Sequence, residues 1–380
     1  MRAYIVGVGK TRFGPTSKSI AELAQEATLE ALSDAGLGPD DLDALIVSNF
    51  LGGPNQRQLH LNSVVAGIFP GLHLPGWRVE AACASGGVAI HNGVLSLAKY
   101  RTVLVLGLER MSDVVGNELT RNIGMAGDAM LDQVEGLNFP ASYALVTQAH
   151  MAAYGTTTRD LDLVSLKNHR NANLNPKAHF YLKHVDQRDI DAGPSVAHPL
   201  RLFDCCPVSD GASALLIASE PRGGRSIEIL ASAVSTDVIS LSQRSTLTSF
   251  AAAKDAASRA YLEAGIRPSD VDLAEVHDCF TIAEIVAMED LGLAKPGEAV
   301  ALLRAGETAL GGRMPVNPSG GLKAGGHAIG ATGVSQAYEI TTQLRGEAGA
   351  RQVHSARIGL THNIGGVGGT CAIHVLGVPR

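Results

Sequence analysis

A nine-residue stretch occurs twice in this chain. Ala35-Gly36-Leu37-Gly38-Pro39-Asp40-Asp41-Leu42-Asp43 returns as Ala264-Gly265-Ile266-Arg267-Pro268-Ser269-Asp270-Val271-Asp272, keeping Ala, Gly, Pro and two Asp at one constant offset. Each copy follows an Ala-rich amphipathic segment and precedes an apolar, strand-like run. A helix–turn–strand context that repeats with its turn residues predicts two copies of one α/β unit. The period is too long for a solenoid. We therefore expect two pseudo-symmetric halves, residues 1–220 and 221–380. Ser85-Gly86-Gly87 and Ser319-Gly320-Gly321 extend the correspondence, each at a similar place in its half.

The rest of the chain alternates in the same way. AYIVGV, ALIVSNF, TVLVLGLE, SALLIAS, LAEVHDCF, RIGLTHN and CAIHVLG have the short apolar runs of buried strands. SIAELAQEATLEALSDAG, GGVAIHNGVLSLAKY, AAAKDAASRAYLEAG and TGVSQAYEITTQLRG carry apolar residues at helical spacing. Gly36, Gly265 and Gly346 fall where helix C-caps are expected. Residues 115–200 break the pattern: they are rich in Asn, His, Lys and Arg, with weak strand signals. They read as a loop region inserted in the first half, either functional or a plain surface excursion.

Charge and cysteine usage exclude several classes. A formal charge of −6 argues against broad nucleic-acid binding. No apolar run approaches membrane-spanning length. Five scattered Cys do not make a disulfide framework and fit a reducing compartment. The opening AYIVGVG is too short, and too soon followed by Lys10 and Arg12, for a secretory leader. The expectation is a cytoplasmic protein.

Four places have residue types that do chemistry. Cys83 ends a strand-like run (Arg78–Ala82) and precedes the Ser85 helix. A helix N-terminus there would lower its pKa and make it a nucleophile; the bland counterpart is a buried structural thiol. His327 lies among Gly320, Gly321, Gly325, Gly326, Gly330 and Gly333, a setting for a general base or for a histidine that ties a loop. His277 and Cys279 follow the strand LAEV, and would share a face if the strand continued. They lack a second ligand pair at zinc spacing. Thr361–Gly369 is a glycine-rich turn between strands, able to aim N–H groups at an oxyanion or to be a plain hairpin. Cys205-Cys206 shows no metal or redox spacing and reads as a packed turn.

Taken in order, EAACASGG, KNHRNANLNP, CCPVSDGA, EVHDCFT, VNPSGG, GHAIGATG and HNIGGVGG resemble the thiolase family across essentially the whole chain. The resemblance is closest to the sterol-carrier-protein-2-type thiolases and their bacterial and archaeal relatives. It implies the thiolase fold, two mixed sheets in a five-layer αβαβα arrangement, with the 115–200 region over the active site. It implies that Cys83 accepts the acyl group, that His327 activates it, and that His277 replaces the Asn of the N-E-A-F motif at an oxyanion hole. The family's C-terminal catalytic Cys matches Asn363 here, so Cys279 inherits the acid/base role. Gly365 would offer its N–H beside that of Cys83. Thr248 and Ser249 would bind the pantetheine amides. Lys167, Arg170, Lys177, Lys183 and Arg188 are candidates for the coenzyme A phosphates.

The implied activity is acyl-CoA C-acyl transfer, by thiolysis of a 3-oxoacyl-CoA or condensation of two acyl-CoAs. Coenzyme A thioesters are substrates, with no permanently bound cofactor, no metal, no nucleic acid and no membrane. A homodimer is implied, and relatives that need a small zinc- and oligonucleotide-fold partner make such a partner an option. The alternatives are a retro-aldolase, an acyltransferase with a non-CoA acceptor, and a non-catalytic subunit. The family's G-H-P is Gly326-His327-Ala328 here. Loss of Pro is expected to free one φ and loosen the histidine loop.

Overall fold

The computed structural model describes residues 2–379. Nine strands carry the architecture: β1 (Tyr4–Lys10), β2 (Ala44–Ser48), β3 (Gly76–Val79), β4 (Thr102–Glu109), β5 (Gly211–Ala218), β6 (Ile227–Thr236), β7 (Leu273–Glu275), β8 (Ile358–Gly365) and β9 (Thr370–Gly377). The strands form one continuous nine-stranded sheet whose first segment (the first sheet) runs β3-β2-β4-β5-β1 and whose second (the second sheet) runs β6-β9-β8-β7. In the first, β1/β5 and β5/β4 are antiparallel, and β4/β2 and β2/β3 parallel. In the second, β6/β9 and β9/β8 are antiparallel and β8/β7 parallel. A parallel bridge from Ala274 to Val316 stands where β3 stands in the first sheet. The sheets therefore share one topology. They meet edge to edge where Tyr4 and Ile5 of β1 pair with Glu228 and Ile227 of β6.

Seven helices complete the layers: α1 (Ile20–Ala35), α2 (Ser85–Ser96), α3 (Phe139–Tyr154), α4 (Thr158–Asn173), α5 (Ala251–Ala264), α6 (Thr281–Asp290) and α7 (Thr332–Leu344). α1 covers the outer face of the first sheet and α5 that of the second, while α2 and α7 touch each other and strands of both sheets. This is the expected five-layer α/β arrangement, with the central helices sandwiched.

The nine-residue repeat does the same work in both copies. Gly36 and Gly265 close α1 and α5 in the left-handed conformation, at φ 63° and 66°. Asp41 and Asp270 each accept an N–H three residues upstream at 2.8 Å, from Gly38 and Arg267. Asp43 then accepts the N–H groups of Arg101 and Thr102, tying β2 to β4. Asp272 does the same for Arg357 and Ile358, tying β7 to β8. Two conserved-offset Asp residues thus set strand register in each half.

The structure differs from the sequence expectations in four places. The LAEVHDCF strand ends at Glu275, so His277 and Cys279 lie on irregular backbone. β6 was not anticipated, because ILASAVST dilutes its apolar residues with Ala and Ser. The glycine-rich Ser319-Gly320-Gly321 leads into a short helix at Gly321–Gly325, not a central helix. The counterpart of Ser85-Gly86 is Thr332-Gly333: a Cβ on Gly86 would meet the Gly333 nitrogen at 2.7 Å, so both must be Gly for α2 and α7 to approach. Finally, residues 115–200 are mostly helical (α3, α4 and the helix Gly116–Gly124), not irregular. They pack on the second half, where Lys167 of α4 pairs with Glu284 of α6 at 3.0 Å, both buried. That ion pair explains the polar composition that looked loop-like.

Candidate active site

The chain turns sharply into α2. Ala82 has φ 50°, a left-handed conformation costly for a non-glycine residue. Ser85 Oγ holds the turn, accepting from Ala81 N–H and donating to the Ala82 carbonyl. The turn presents Cys83, which is 8% exposed, to a cavity of about 420 Å³. Cys279, Cys205, Cys206 and His327 line that cavity together with Met111, Ile123, Phe139, Val196, Leu202, Phe280 and Ile329. Cys83, His277 and His327 place one sulfur and two ring nitrogens within 4.8 Å of one another. Three chain segments far apart in sequence thus converge, and they are the donor set that could hold a soft metal ion.

The two imidazoles are held in opposite ways. His327 Nδ1 lies 2.8 Å from Thr332 Oγ1, and that hydroxyl donates its proton to the Ala328 carbonyl. Oγ1 therefore accepts from Nδ1–H, leaving Nε2 bare as a base. His277 Nδ1 lies 3.2 Å from the side-chain nitrogen of Asn363. Its own Nε2 is buried with no partner. The rings stand perpendicular, with centroids 5.2 Å apart. Burial keeps both neutral: the His327 pKa falls to about 3, and that of His277 drops well below its ordinary value, with His327 and His362 adding to the effect.

Burial also decides the state of Cys83. The sequence places it near a helix N-terminus and predicts a lowered pKa, but desolvation pushes the thiol up to about 12. N–H groups of Gly366 and of Cys83 itself oppose this only in part. In the resting protein the pair is thiol plus neutral imidazole, not thiolate plus imidazolium. Cys279 is raised too, first by burial and then by the neighbouring Cys206 and Cys83 thiols. The neighbouring Tyr143 hydroxyl opposes that shift. The same hydroxyl reaches the Gly366 carbonyl at 3.2 Å.

Several expected positions need correction. Gly366 lines the cavity, and its N–H lowers the Cys83 pKa. Gly365 is a close-packing glycine in β8, whose Cβ would sit 2.5 Å from the Ala81 carbonyl. Ala328 has φ −80°, inside the range Pro would impose, and is fully buried, so the histidine loop is not loosened. Thr248 and Ser249 do not line the Cys83 cavity. Ser249 Oγ donates to Asp290 at 2.5 Å and lines a separate polar pocket of about 640 Å³ with Arg244 and Lys254. Arg244 bonds the Val367 carbonyl, next to Gly366, which sets that pocket beside the cavity. Lys167 is buried against Glu284, and Lys177 is paired with Glu30.

Sequence reasoning also missed three groups. Tyr143 lies in the supposed loop region, Thr332 was taken only as a helix residue, and Asn363 was noted only for not being Cys. The spacing of Thr332 five residues after His327 is the one local signal that could have found any of them.

Comparison with known proteins agrees with this geometry. The thiolase N-terminal domain model matches residues 3–221, and the thiolase C-terminal domain-like model matches residues 233–378. The acetyl-CoA acetyltransferase of Methanothermobacter thermautotrophicus is 44% identical, covering 98% of each chain. Human sterol carrier protein 2 is 32% identical over all of this chain and 73% of its own. Among solved structures, the Ltp2–ChsH2(DUF35) aldolase superposes with a TM-score of 0.87 at 26% identity, covering 100% and 98%. Two α/β halves of equal topology define the class, and the chain belongs to the thiolase family.

Proposed function

We propose that this chain is an acyl-CoA C-acyltransferase that works through an acyl-Cys83 intermediate. The observation that carries this is the convergence of Cys83, His277 and His327 within 4.8 Å of one another, with Cys83 and His327 at the wall of an apolar cavity. In the thiolytic direction, His327 Nε2 takes the Cys83 proton as the sulfur attacks the 3-oxo carbon of a 3-oxoacyl-CoA. The carbonyl electron pair becomes an oxyanion facing donor N–H groups, with Gly366 N–H at the sulfur side. Collapse breaks the C2–C3 bond, leaves the shortened acyl group on sulfur as a thioester, and releases the acetyl-CoA enolate. Cys279 S–H protonates that carbon, and the Tyr143 hydroxyl, which donates to the Gly366 carbonyl at rest, turns to the thiolate left behind. The thiol of free coenzyme A then gives its proton to the Cys279 thiolate and attacks the acyl-Cys83 carbonyl; the C–S bond to Cys83 breaks, the His327 imidazolium returns the proton to the Cys83 sulfur, and the second acyl-CoA leaves. Condensation is the reverse path.

The apolar cavity, at about 420 Å³, has room for an acyl chain beyond acetyl, and the neighbouring polar pocket, where Arg244 and Lys254 stand beside Asp237 and Asp255, is the place we assign to coenzyme A. We read residues 1–220 and 221–380 as the two catalytic halves. β3 ends the first sheet with half-buried side chains and no second neighbour among the described residues, which supports homodimerisation there. Free thiols at Cys83, Cys205, Cys206 and Cys279 fit the cytoplasm. No helix among the described residues is long and apolar enough to cross a membrane. The likeness to the aldolase favours one second reading, a lyase dependent on a DUF35-type partner. A steady-state assay separates them: acetoacetyl-CoA consumed only when coenzyme A is added supports the transferase. Cleavage of a β-hydroxyacyl-CoA alone, restored by a partner protein, supports the lyase.

A further inference from the structure

The Asn363 amide sits between α2 and α7 and its orientation follows from two backbone groups that have no choice of role. The Gly87 N–H can only donate, so the atom 2.9 Å from it is Oδ1. The Cys83 carbonyl can only accept, so the atom 2.8 Å from it is Nδ2. Nδ2–H is then also what meets His277 Nδ1. The cage is tight: a Cβ on Gly333 would collide with Asn363 Oδ1, and one on Gly87 would lie 3.1 Å from it. The amide cannot turn over without setting donor against donor at Gly87 and acceptor against acceptor at Cys83.

We infer that Asn363 is a positioning residue that fixes His277 as a hydrogen-bond donor toward the reacting thioester and denies the Cys83–His277–His327 cluster to metal ions. Because Nδ1 accepts from the amide, the His277 proton resides on Nε2, which has no hydrogen-bond partner among the described residues. The site then holds two neutral imidazoles of opposite tautomer: His327 a base, His277 a donor. A metal at His277 Nε2 would require the proton to move to Nδ1, against the Asn363 N–H. Metal-binding histidines instead donate their second nitrogen to a carboxylate or carbonyl. This inference rests on the reading of Cys83 as the acyl-bearing thiol only for its catalytic consequence; the tautomers stand apart from it.

Nitrogen-15 NMR of histidine-labelled wild-type protein tests the tautomers directly, with His277→Asn and His327→Asn spectra to assign the two rings. We expect His277 protonated on Nε2 and His327 on Nδ1; a His277 signal from the Nδ1–H form overturns the inference. Asn363→Asp keeps an acceptor for Gly87 N–H but draws the His277 proton to Nδ1. It should lower kcat for acetoacetyl-CoA thiolysis by about 10²–10³-fold with KM changed less than about threefold. It should also bind cobalt(II) with a thiolate charge-transfer band that the wild type lacks and that Cys83→Ala abolishes. An Asn363→Asp enzyme with near-normal kcat, or a wild type that binds cobalt equally well, contradicts it. If Asn363→Asp does not fold, the wild-type spectrum and cobalt titration decide alone. The predicted tautomers in a protein that cleaves no thioester would sink the acyltransferase reading and leave this one standing.

Discussion

The chain leaves β2 through Ser48-Asn49-Phe50 and leaves β7 through His277-Asp278-Cys279, two exits related by the constant offset of the repeat. At the first exit every polar group is spent on structure. Ser48 Oγ bonds the Gly330 carbonyl at 2.7 Å, and Asn49 bonds Leu108 and Glu109. Buried Glu109 also gathers the N–H groups of Phe50, Leu51 and Gly330. At the second exit the equivalent of Ser48 is His277, whose Nε2 has no structural partner, and the equivalent of Phe50 is Cys279, open to the cavity. Only Asp278 keeps a structural task, accepting from Asn168, Leu322 and Lys323. One topology delivers both strand ends to the same level, and side-chain identity decides which end reacts. The proposed nucleophile comes from the first half, at the entrance to α2; the proposed base and donor come from the second.

Substitutions in the Cys83–His327 cluster and at the structural exit of β2 should therefore differ by orders of magnitude. Cys83→Ala should lower kcat on the order of 10⁴-fold or more, since no other group can carry the acyl chain. His327→Gln should cost about 10²–10⁴-fold in kcat, the range for a lost general base, with folding retained by circular dichroism. A drop below tenfold in either would break the assignment of chemistry to these residues. The pH dependence of alkylation is the next largest effect. With the Cys83 pKa pushed to about 12 by burial, its thiolate fraction lies far below unity at neutral pH and rises with pH throughout the accessible range. Iodoacetamide labelling of the free enzyme should therefore climb about tenfold per pH unit from 6 to 9. A plateau near pH 7 would instead mean a preformed thiolate–imidazolium pair. The smallest effects fall at the structural end: Ser48→Ala should cost about 1 kcal/mol of stability in urea unfolding and leave kcat within about threefold. A large loss of activity there would mean that the first exit is not merely structural.

The fold was legible where the chain repeats itself. Two helix C-cap glycines and two pairs of turn aspartates announced equivalent units, and the Asp43 and Asp272 contacts give the physical reason. The clustering of Cys83 and His327 was legible because small residues and glycines surround both, as a reactive Cys and His approached closely by a substrate would require. Their protonation states were not. Burial, which no local pattern reports, overturned the expected low pKa of Cys83. The tautomers of His327 and His277 are set by Thr332 and Asn363, and the contact of Asn363 with Cys83 spans 280 residues of sequence. The helices of residues 139–173 looked like loop because their polar residues are buried in ion pairs and amide networks against the second half.

The central claim is that Cys83 carries the acyl group, and the most direct test is the intact mass of the protein after mixing with a panel of acyl-CoAs and 3-oxoacyl-CoAs. The account predicts a single acyl adduct on the wild type, discharged by added coenzyme A and missing from Cys83→Ala. An adduct that persists on Cys83→Ala, or none from any donor while His327 and Cys279 are intact, would contradict it.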